Sequence, residues 1–251
     1  IMQGMGSQGF SMLPPVVKNL LIINGLLFLA TVTFNLSLDI DLTNILGLHY
    51  FESPLFEPYQ LVTYMFMHGG ISHLFFNMFA VWMFGSQIEN AWGPKRFLIY
   101  YLITGIGASL LHYGIVYFEI MNLESMMTPS AIEYVMKGGA DLIVSGRNYV
   151  DPNMGKLNAL YNTGLVGASG SLFGVLLAFG MLFPNTSLYM MFIPVPIKAK
   201  YFVAGYGVLE LINGIQQRPG DNVAHFAHLG GMLFGYLLIK YWQKNAKTKQ
   251  L

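Results

Sequence analysis

The sequence lacks cysteine altogether and is poor in charged residues. Without cysteine the chain can form neither disulfides nor thiolate metal sites, and cysteine usage gives no information about its redox compartment. Charged residues make up only 10% of the chain, whereas soluble domains carry about 25%. The formal net charge is +1, so no global positive field points to nucleic acid as a partner. The missing charge is the first indication that lipid surrounds much of this chain.

Apolar residues fill the place of the missing charges. They account for 54% of the chain, and glycine, which lets membrane helices pack closely, occurs 28 times. A membrane-spanning helix needs about 20 mostly apolar residues. Six such stretches are present, and they predict an all-α polytopic membrane protein built as a six-helix bundle. The predicted spans cover about residues 20–38, 73–90, 97–118, 167–183, 201–216 and 223–242.

The distribution of charge predicts the orientation of the spans. If the N-terminus is cytoplasmic, nine of the 13 basic residues fall on the cytoplasmic side and ten of the 12 acidic residues fall outside. Glu89 and Glu210 are the two acids that do not. We therefore expect a cytoplasmic tail over residues 1–18 and a basic cytoplasmic tail over residues 244–251. No basic stretch precedes the first apolar run, so we expect no cleavable signal peptide.

Two segments on the predicted outer side are more than simple connections. Residues 39–67 mix polar with aromatic side chains, as segments in the bilayer interface do. Residues 119–160 form an insertion that is long for a link between packed helices, and we expect a short helix within it at residues 131–136. Either a cap beside an opening or a plain spacer fits the composition of this insertion.

Polar groups are costly inside a membrane, so each one in a span is a functional hypothesis. The first cluster contains His68, His73 and Asn77, at the start of the second span. His73 and Asn77 are four residues apart and therefore share one helix face. Two neutral donors on one face can stabilise an oxyanion. A polar pair that ties two helices together explains the same pattern.

The second cluster, Gly167 to Gly170, places Ser169 between glycines at the start of the fourth span. Glycines let backbone or substrate approach closely, and a helix N-terminus offers free N–H groups to an anion. A small-residue contact between helices is the alternative, since Gly174 continues the small face. Ser171 occupies the last position of the Gly-x-Ser-x-Gly nucleophile elbow, so this is not that motif.

The third cluster contains His225 and His228, followed by Gly231 and Gly235, in the sixth span. A histidine beside glycines can stand close to a neighbouring helix and act as general base for a serine. A metal site built from the histidines of the first and third clusters is the competing chemical interpretation. We expect no carboxylate near these histidines to complete such a site, and therefore no metal.

Together the three clusters resemble the motifs of the rhomboid family of intramembrane serine proteases. The clusters agree with the family's motifs in their order, in the helices that carry them and in the spacing of their residues. The resemblance covers about residues 18–243. The matching positions are His68, His73 and Asn77 on the second span, Gly167, Ala168, Ser169 and Gly170 on the fourth, and Ala227, His228, Gly231 and Gly235 on the sixth. One departure is Tyr59-Gln60, where many members carry a Trp-Arg pair, and another is the insertion.

The resemblance implies a Ser-His dyad in which Ser169 is the nucleophile and His228 is the general base. It implies an oxyanion site made by His73, Asn77 and the backbone N–H of Ser169. No Asp lies in the sixth span to orient the base, which fits a dyad and not a triad. Glu89 is expected to be structural. The supporting positions are His68, Gly167, Gly170, His225, Gly231 and Gly235.

By the same resemblance, residues 19–243 form the bacterial six-helix domain, which acts without a cofactor on transmembrane proteins in the bilayer. It implies a bacterial inner-membrane location, a site that opens to the outer side and a fifth span that serves as a lateral gate. The oligomeric state is not predicted. An inactive relative would lack Ser169 or His228, and this chain has both. A transporter with a histidine proton relay would show inverted repeats, and none is found.

Overall fold

The computed structural model describes residues 10–190, 193–216 and 223–248, and these are mostly helical. The helices are Pro15–Leu38 (α1), Leu42–Leu46 (α2), Gln60–Thr63 (α3), Ile71–Ala80 (α4), Ser86–Trp92 (α5), Pro94–Glu124 (α6), Pro129–Val144 (α7), Pro152–Asn162 (α8), Ser169–Leu182 (α9), Ala199–Gln216 (α10) and His225–Thr248 (α11). The strands Ser187–Met190 (β1) and Ile193–Lys198 (β2) form one antiparallel hairpin.

Helices occupy all six predicted spans. The second span is one continuous helix, in which α4 passes through a π-helical turn, Val81–Gly85, into α5. By length and composition α1 and α6 can each cross a membrane, and α9 is a shorter apolar helix. α11 continues past the predicted end of its span to Thr248. The expected basic tail therefore begins as helix.

α6, α9 and α11 form the centre of the bundle, and small residues set how close they come. Gly174 of α9 lies against Thr104 of α6, where an added Cβ would approach the threonine Cβ to 2.6 Å. The hydroxyl of Tyr100 donates to the carbonyl of Gly174 over 2.8 Å. Close backbones of this kind drive helix association in lipid, where apolar surface alone provides no driving force.

The insertion over residues 119–160 is a folded unit. α6 continues past the predicted third span, and α7 contains the short helix expected at residues 131–136. α8 has no counterpart in the sequence prediction, and Asp151 caps it by accepting from two backbone N–H groups. The insertion packs on the first outer segment through one buried cluster, formed by Tyr50, Val116, Ile120, Leu123, Val135, Leu157 and Tyr161.

At the opposite end of the bundle, Glu89 joins α5 to the first turn of α1. Its carboxylate accepts the N–H of Val16 over 2.9 Å and the N–H of Val17 over 2.8 Å. A helix leaves its first N–H groups without intrahelical partners, and a buried helix end needs such acceptors. Glu89 is itself buried, and these contacts agree with the structural role expected for it.

Replacing Glu89 by Ala should lower the stability of the bundle, because the variant loses both acceptors at the start of α1. Hydrogen bonds to charged groups contribute about 1.5–3 kcal/mol each. We expect a clear fall in the thermal unfolding temperature in detergent. Glu89→Gln should lose less, since its amide oxygen still accepts a bond. An unchanged unfolding temperature in Glu89→Ala would show that apolar contacts alone anchor α1.

Candidate active site

Ser169 and His228 meet at one end of the bundle, although 59 residues separate them in the sequence. The Ser169 Oγ lies 2.9 Å from His228 Nε2. Ser169 is the first residue of α9, and His228 lies in the first turn of α11. An imidazole within hydrogen-bond reach of a serine hydroxyl is placed to remove its proton.

The His228 ring is held by stacking, and the neighbouring serine is turned away. Phe173, one turn along α9, stacks on His228 with ring centroids 4.2 Å apart and planes inclined by 8°. Ser171 is fully buried, and its hydroxyl donates to the carbonyl of Tyr101 over 2.9 Å. Of the two serines in the motif, Ser169 is therefore the one that reaches the imidazole.

Four glycines allow α9, which begins with Ser169, to lie close to α6 and α11. An added Cβ at Gly170 would lie 2.6 Å from a side-chain carbon of α6, and one at Gly231 would overlap the carbonyl oxygen of Gly170. At Gly235 it would overlap the hydroxyl of Tyr100. Gly167 has a φ of +130°, which residues with a Cβ rarely adopt. Each glycine expected to support the site therefore has a steric reason to be glycine.

The first cluster lies beside the turn that carries Ser169. An added Cβ at Gly167 would come within 2.9 Å of the His73 ring and 3.5 Å of the Ser169 Oγ. Asn77 is buried one turn along α4, and its amide nitrogen lies 3.1 Å from His68 Nε2. His68 also contacts His73 edge to face, with ring centroids 5.0 Å apart. These residues form one connected polar group, with His73 at the serine turn.

The first outer segment holds the chain that leads into Ser169. Leu48 and Leu165 exchange two backbone hydrogen bonds of 2.9 and 2.8 Å, and the Gly167 N–H donates to the Tyr64 carbonyl over 2.9 Å. Gln60 is buried and bonds to three backbone groups of the same segment. Gln60 stands where many family members carry the Arg of a Trp-Arg pair. Its neutral amide satisfies the buried backbone groups without placing a charge in the interior.

Glu210 is the residue of the site that sequence reasoning missed. Its Oε2 lies 2.7 Å from Nδ1 of His225 and 2.7 Å from Nδ1 of His228, and all three residues are buried. The expectation that no carboxylate lies near these histidines is therefore wrong, because the acid comes from α10 and not from the helix that carries them. A signal was present, since an acid inside a span marks a candidate functional site.

A model of the family described as the Rhomboid domain matches residues 55–244. This chain belongs to the rhomboid family. The resemblance inferred from the three motifs is thereby confirmed, and with it the six-helix membrane bundle.

Two relatives show the extent of the similarity. Rhomboid protease AarA of Providencia stuartii is 27% identical over 186 residues, which cover 69% of this chain and 52% of that protein. RHOMBOID-like protein 12, mitochondrial, of Arabidopsis thaliana is 29% identical over 175 residues, which cover 69% of this chain and 43% of that protein. The chain thus spans about half or less of the length of these relatives.

In this rhomboid protein the ligand atoms of Glu210, His225 and His228 lie within 4.8 Å of one another. Two histidines and one glutamate are a ligand set that some zinc enzymes use. Within the described part of the chain this set includes neither His68 nor His73, so it differs from the four-histidine site considered from the sequence. Both Nδ1 atoms lie at hydrogen-bond distance from one oxygen, so two N–H···O bonds also account for the group.

A cavity of about 600 Å³ opens beside His225, between α6, α8 and the start of α11. His112 lines it as well and was not singled out from the sequence. Lys156 and Glu119, whose charged groups lie 3.8 Å apart, complete a partly polar lining. The cavity is roomy and polar enough to hold water next to the site. From the sequence, Gly69-Gly70 and the loop of residues 218–221 are also predicted to border an outward-opening cavity that holds water; residues 218–221 lie outside the described residues.

Gly167→Ala should sharply reduce the reactivity of Ser169. The φ at this position disfavours any Cβ, with a cost of about 1–3 kcal/mol, and the new methyl would lie 2.9 Å from the His73 ring. The turn must shift, and Ser169 with it. The rate at which a fluorophosphonate labels Ser169 measures the effect, with thermal unfolding as the check on folding.

The matched control for this variant is Gly25→Ala. Gly25 lies in α1, and an added Cβ there meets nothing within 4 Å. Labelling of the control should match that of the wild type. Labelling of Gly167→Ala at the same rate would show that the turn tolerates a side chain.

Proposed function

We propose that this chain is an intramembrane serine endopeptidase that hydrolyses peptide bonds in or near the transmembrane segments of membrane proteins. The observation that carries the proposal is the 2.9 Å contact between Ser169 Oγ and His228 Nε2, within a rhomboid domain. The relative AarA is named a rhomboid protease, which supports the same class of reaction.

The proposed reaction proceeds through an acyl-enzyme. His228 Nε2 takes the hydroxyl proton of Ser169 while Oγ attacks the scissile carbonyl carbon. The tetrahedral intermediate collapses as the imidazolium passes that proton to the leaving amine, which leaves an ester on Ser169. The same imidazole then deprotonates a water molecule, which hydrolyses the ester and releases the serine hydroxyl.

His73, Asn77 and the backbone N–H of Ser169 stabilise the oxyanion in this proposal. Ser169 begins α9, so its N–H has no intrahelical acceptor. His73 borders the serine turn. The Asn77 amide has two N–H groups, of which the contact with His68 uses one. Loss of one donor of this type typically raises the barrier by about 2.7–4 kcal/mol.

We place the protein in a bacterial inner membrane with both termini in the cytoplasm. The distribution of lysine and arginine supports this orientation. The ends of the helices that carry Ser169 and His228 then lie on the outer side, next to a cavity that is lined by His225, three residues before His228. The bilayer is the medium from which transmembrane substrates enter.

The insertion over residues 119–160 acts as a cap in this proposal. Residues of α8 form one wall of the cavity beside His225. The buried cluster around Leu157 and Tyr50 holds the insertion against the first outer segment. A plain spacer would neither line the cavity nor pack against the first outer segment.

Ser169→Ala and His228→Ala should each abolish cleavage of a single-span substrate in liposomes, since each removes one partner of the proton transfer. Ser171→Ala is the matched control, because this serine is two residues away and bonds to the Tyr101 carbonyl. It should retain turnover. Turnover at the wild-type rate in Ser169→Ala would refute the assignment. Loss of wild-type activity in EDTA, restored by zinc, would instead favour a metal at His225 and His228.

His73→Ala and Asn77→Ala should each lower kcat more than they raise KM, because oxyanion donors act mainly in the transition state. Steady-state kinetics on the same substrate separates the two parameters. Thermal unfolding checks that the His68 contact of Asn77 was not simply needed for folding. A rise in KM with an unchanged kcat would mean that these side chains bind the substrate and not the oxyanion.

A further inference from the structure

Glu210 is a buried acid that the proposed dyad leaves without a role. Its side chain is 7% exposed, and those of His225 and His228 are 9% and 11% exposed. Glu89, the other acid within a span, accepts from the backbone N–H groups of Val16 and Val17 and thereby anchors a helix. Glu210 contacts two imidazoles instead, and one of them is the proposed base.

The shared oxygen determines which nitrogens carry protons. An ionised carboxylate only accepts hydrogen bonds, so Nδ1 of both His225 and His228 carries a proton when each lies 2.7 Å from Glu210 Oε2. A neutral His228 then has a bare Nε2, and this is the atom 2.9 Å from Ser169 Oγ. With the proton on Nε2 instead, the ring could not accept the serine proton. The hydrogen bond at one ring nitrogen selects the state of the other.

We propose that Glu210 is a positioning residue that fixes His228 in the Nδ1–H form and stabilises the imidazolium formed when the Ser169 proton arrives. This deepens the proposed peptidase function and rests on it. The reaction centre is then a Ser169–His228–Glu210 triad whose acid is supplied by α10. In Ser-His-Asp proteases the acid has the same two tasks, and its replacement by an amide lowers kcat by about 10⁴-fold.

His225 holds the acid in turn. Its Nδ1–H donates to the same oxygen, so the carboxylate cannot rotate away from His228 without losing a second bond. A buried charge requires partners of this kind. Because the same oxygen also accepts a bond from His225, the negative charge of Glu210 is shared between two imidazoles and stabilises an imidazolium at His228 less than an unshared charge would. The effect of losing Glu210 should therefore lie between about tenfold and the 10⁴-fold of a dedicated acid.

The test compares the wild type with Glu210→Gln, Glu210→Asp and Glu89→Gln, all purified in detergent. One readout is kcat and KM for a single-span substrate. The other is the ring ¹⁵N chemical shifts of histidine-labelled protein without substrate, which distinguish protonated from bare nitrogens. Comparison with His228→Ala assigns the His228 signals. Glu89→Gln is the matched control, since it removes a buried carboxylate that contacts only backbone in the described structure.

In the wild type, His228 should carry its proton on Nδ1. Glu210→Gln should lower kcat by about 10- to 10⁴-fold with little change in KM. Its His228 should shift towards the Nε2–H form, because an amide can donate to Nδ1 as well as accept from it. Glu210→Asp should recover part of kcat, since it keeps the carboxylate. Glu89→Gln should lose thermal stability but keep both the kcat of the folded protein and the His228 shifts.

Three results would overturn the proposal. One is an Nε2–H form of His228 in the wild type, a measurement made on a protein whose Glu210 is intact. Another is a wild-type kcat in folded Glu210→Gln. The third is a lower kcat in Glu210→Gln with unchanged His228 shifts, which would mean that the acid only supports the structure. Wild-type protein that cleaves no substrate, or Ser169→Ala that cleaves at the wild-type rate, would instead refute the proposed serine peptidase function, whereas the proton position at His228 is measured independently of cleavage.

Discussion

The closeness of α9 and α11 is the constraint on which the site depends. Lipid provides no hydrophobic drive to bring helices together, so their contact relies on backbones that approach without side chains between them. Gly231 lies against the carbonyl of Gly170. Ser169 immediately precedes one of these glycines, and His228 lies about one turn before the other. The contact between the two glycines therefore also sets the distance between the Ser169 hydroxyl and the His228 imidazole. Helix packing thus explains why the serine and the histidine lie at these distances in sequence from the glycines.

Outside the bundle, a few buried polar side chains keep the approach to Ser169 in place. His49 contacts the carbonyls of Asn44 and Asn162 over 2.9 Å each, and so joins the first outer segment to the end of α8. The paired backbones of Leu48 and Leu165 lie next to this contact, one residue before His49 and three residues after Asn162. Because α8 leads directly into the serine turn, the insertion and the first outer segment form part of the framework of the site.

The spans and the motif residues are predictable because each rests on local sequence. Bilayer thickness sets the length of each apolar stretch. The motifs that contain His73 and Asn77, Ser169, and His228 each lie in or at the start of a single helix, so their internal spacing can be read from the sequence. The hairpin is harder to foresee, since β2 contains Pro194 and Pro196, and proline within a sheet is confined to edge strands, strand starts and bulges. α8 is short and mixes polar with apolar residues, so it shows no strong periodicity.

The contact of Glu210 with the histidines could not be predicted for a different reason. It depends on how far α10 is rotated about its axis relative to α11, and packing among three helices sets that rotation. An acid within a span indicates a site, but the sequence does not say which imidazole it faces. The same holds for His112, which reaches the cavity from α6.

The attachment of α10 has a mechanical consequence. This helix lies at the edge of the bundle, packs on α9 and α11, and exposes apolar side chains such as Val208, Leu209 and Ile215. Glu210 fastens it to α11 by two charged hydrogen bonds, one to His225 and one to the proposed base His228. If α10 swung towards lipid, both bonds would break, and in the proposed triad the imidazole of His228 would lose the partner that sets the position of its proton. In the proposed triad, an outward position of α10 and a correctly protonated His228 therefore exclude each other.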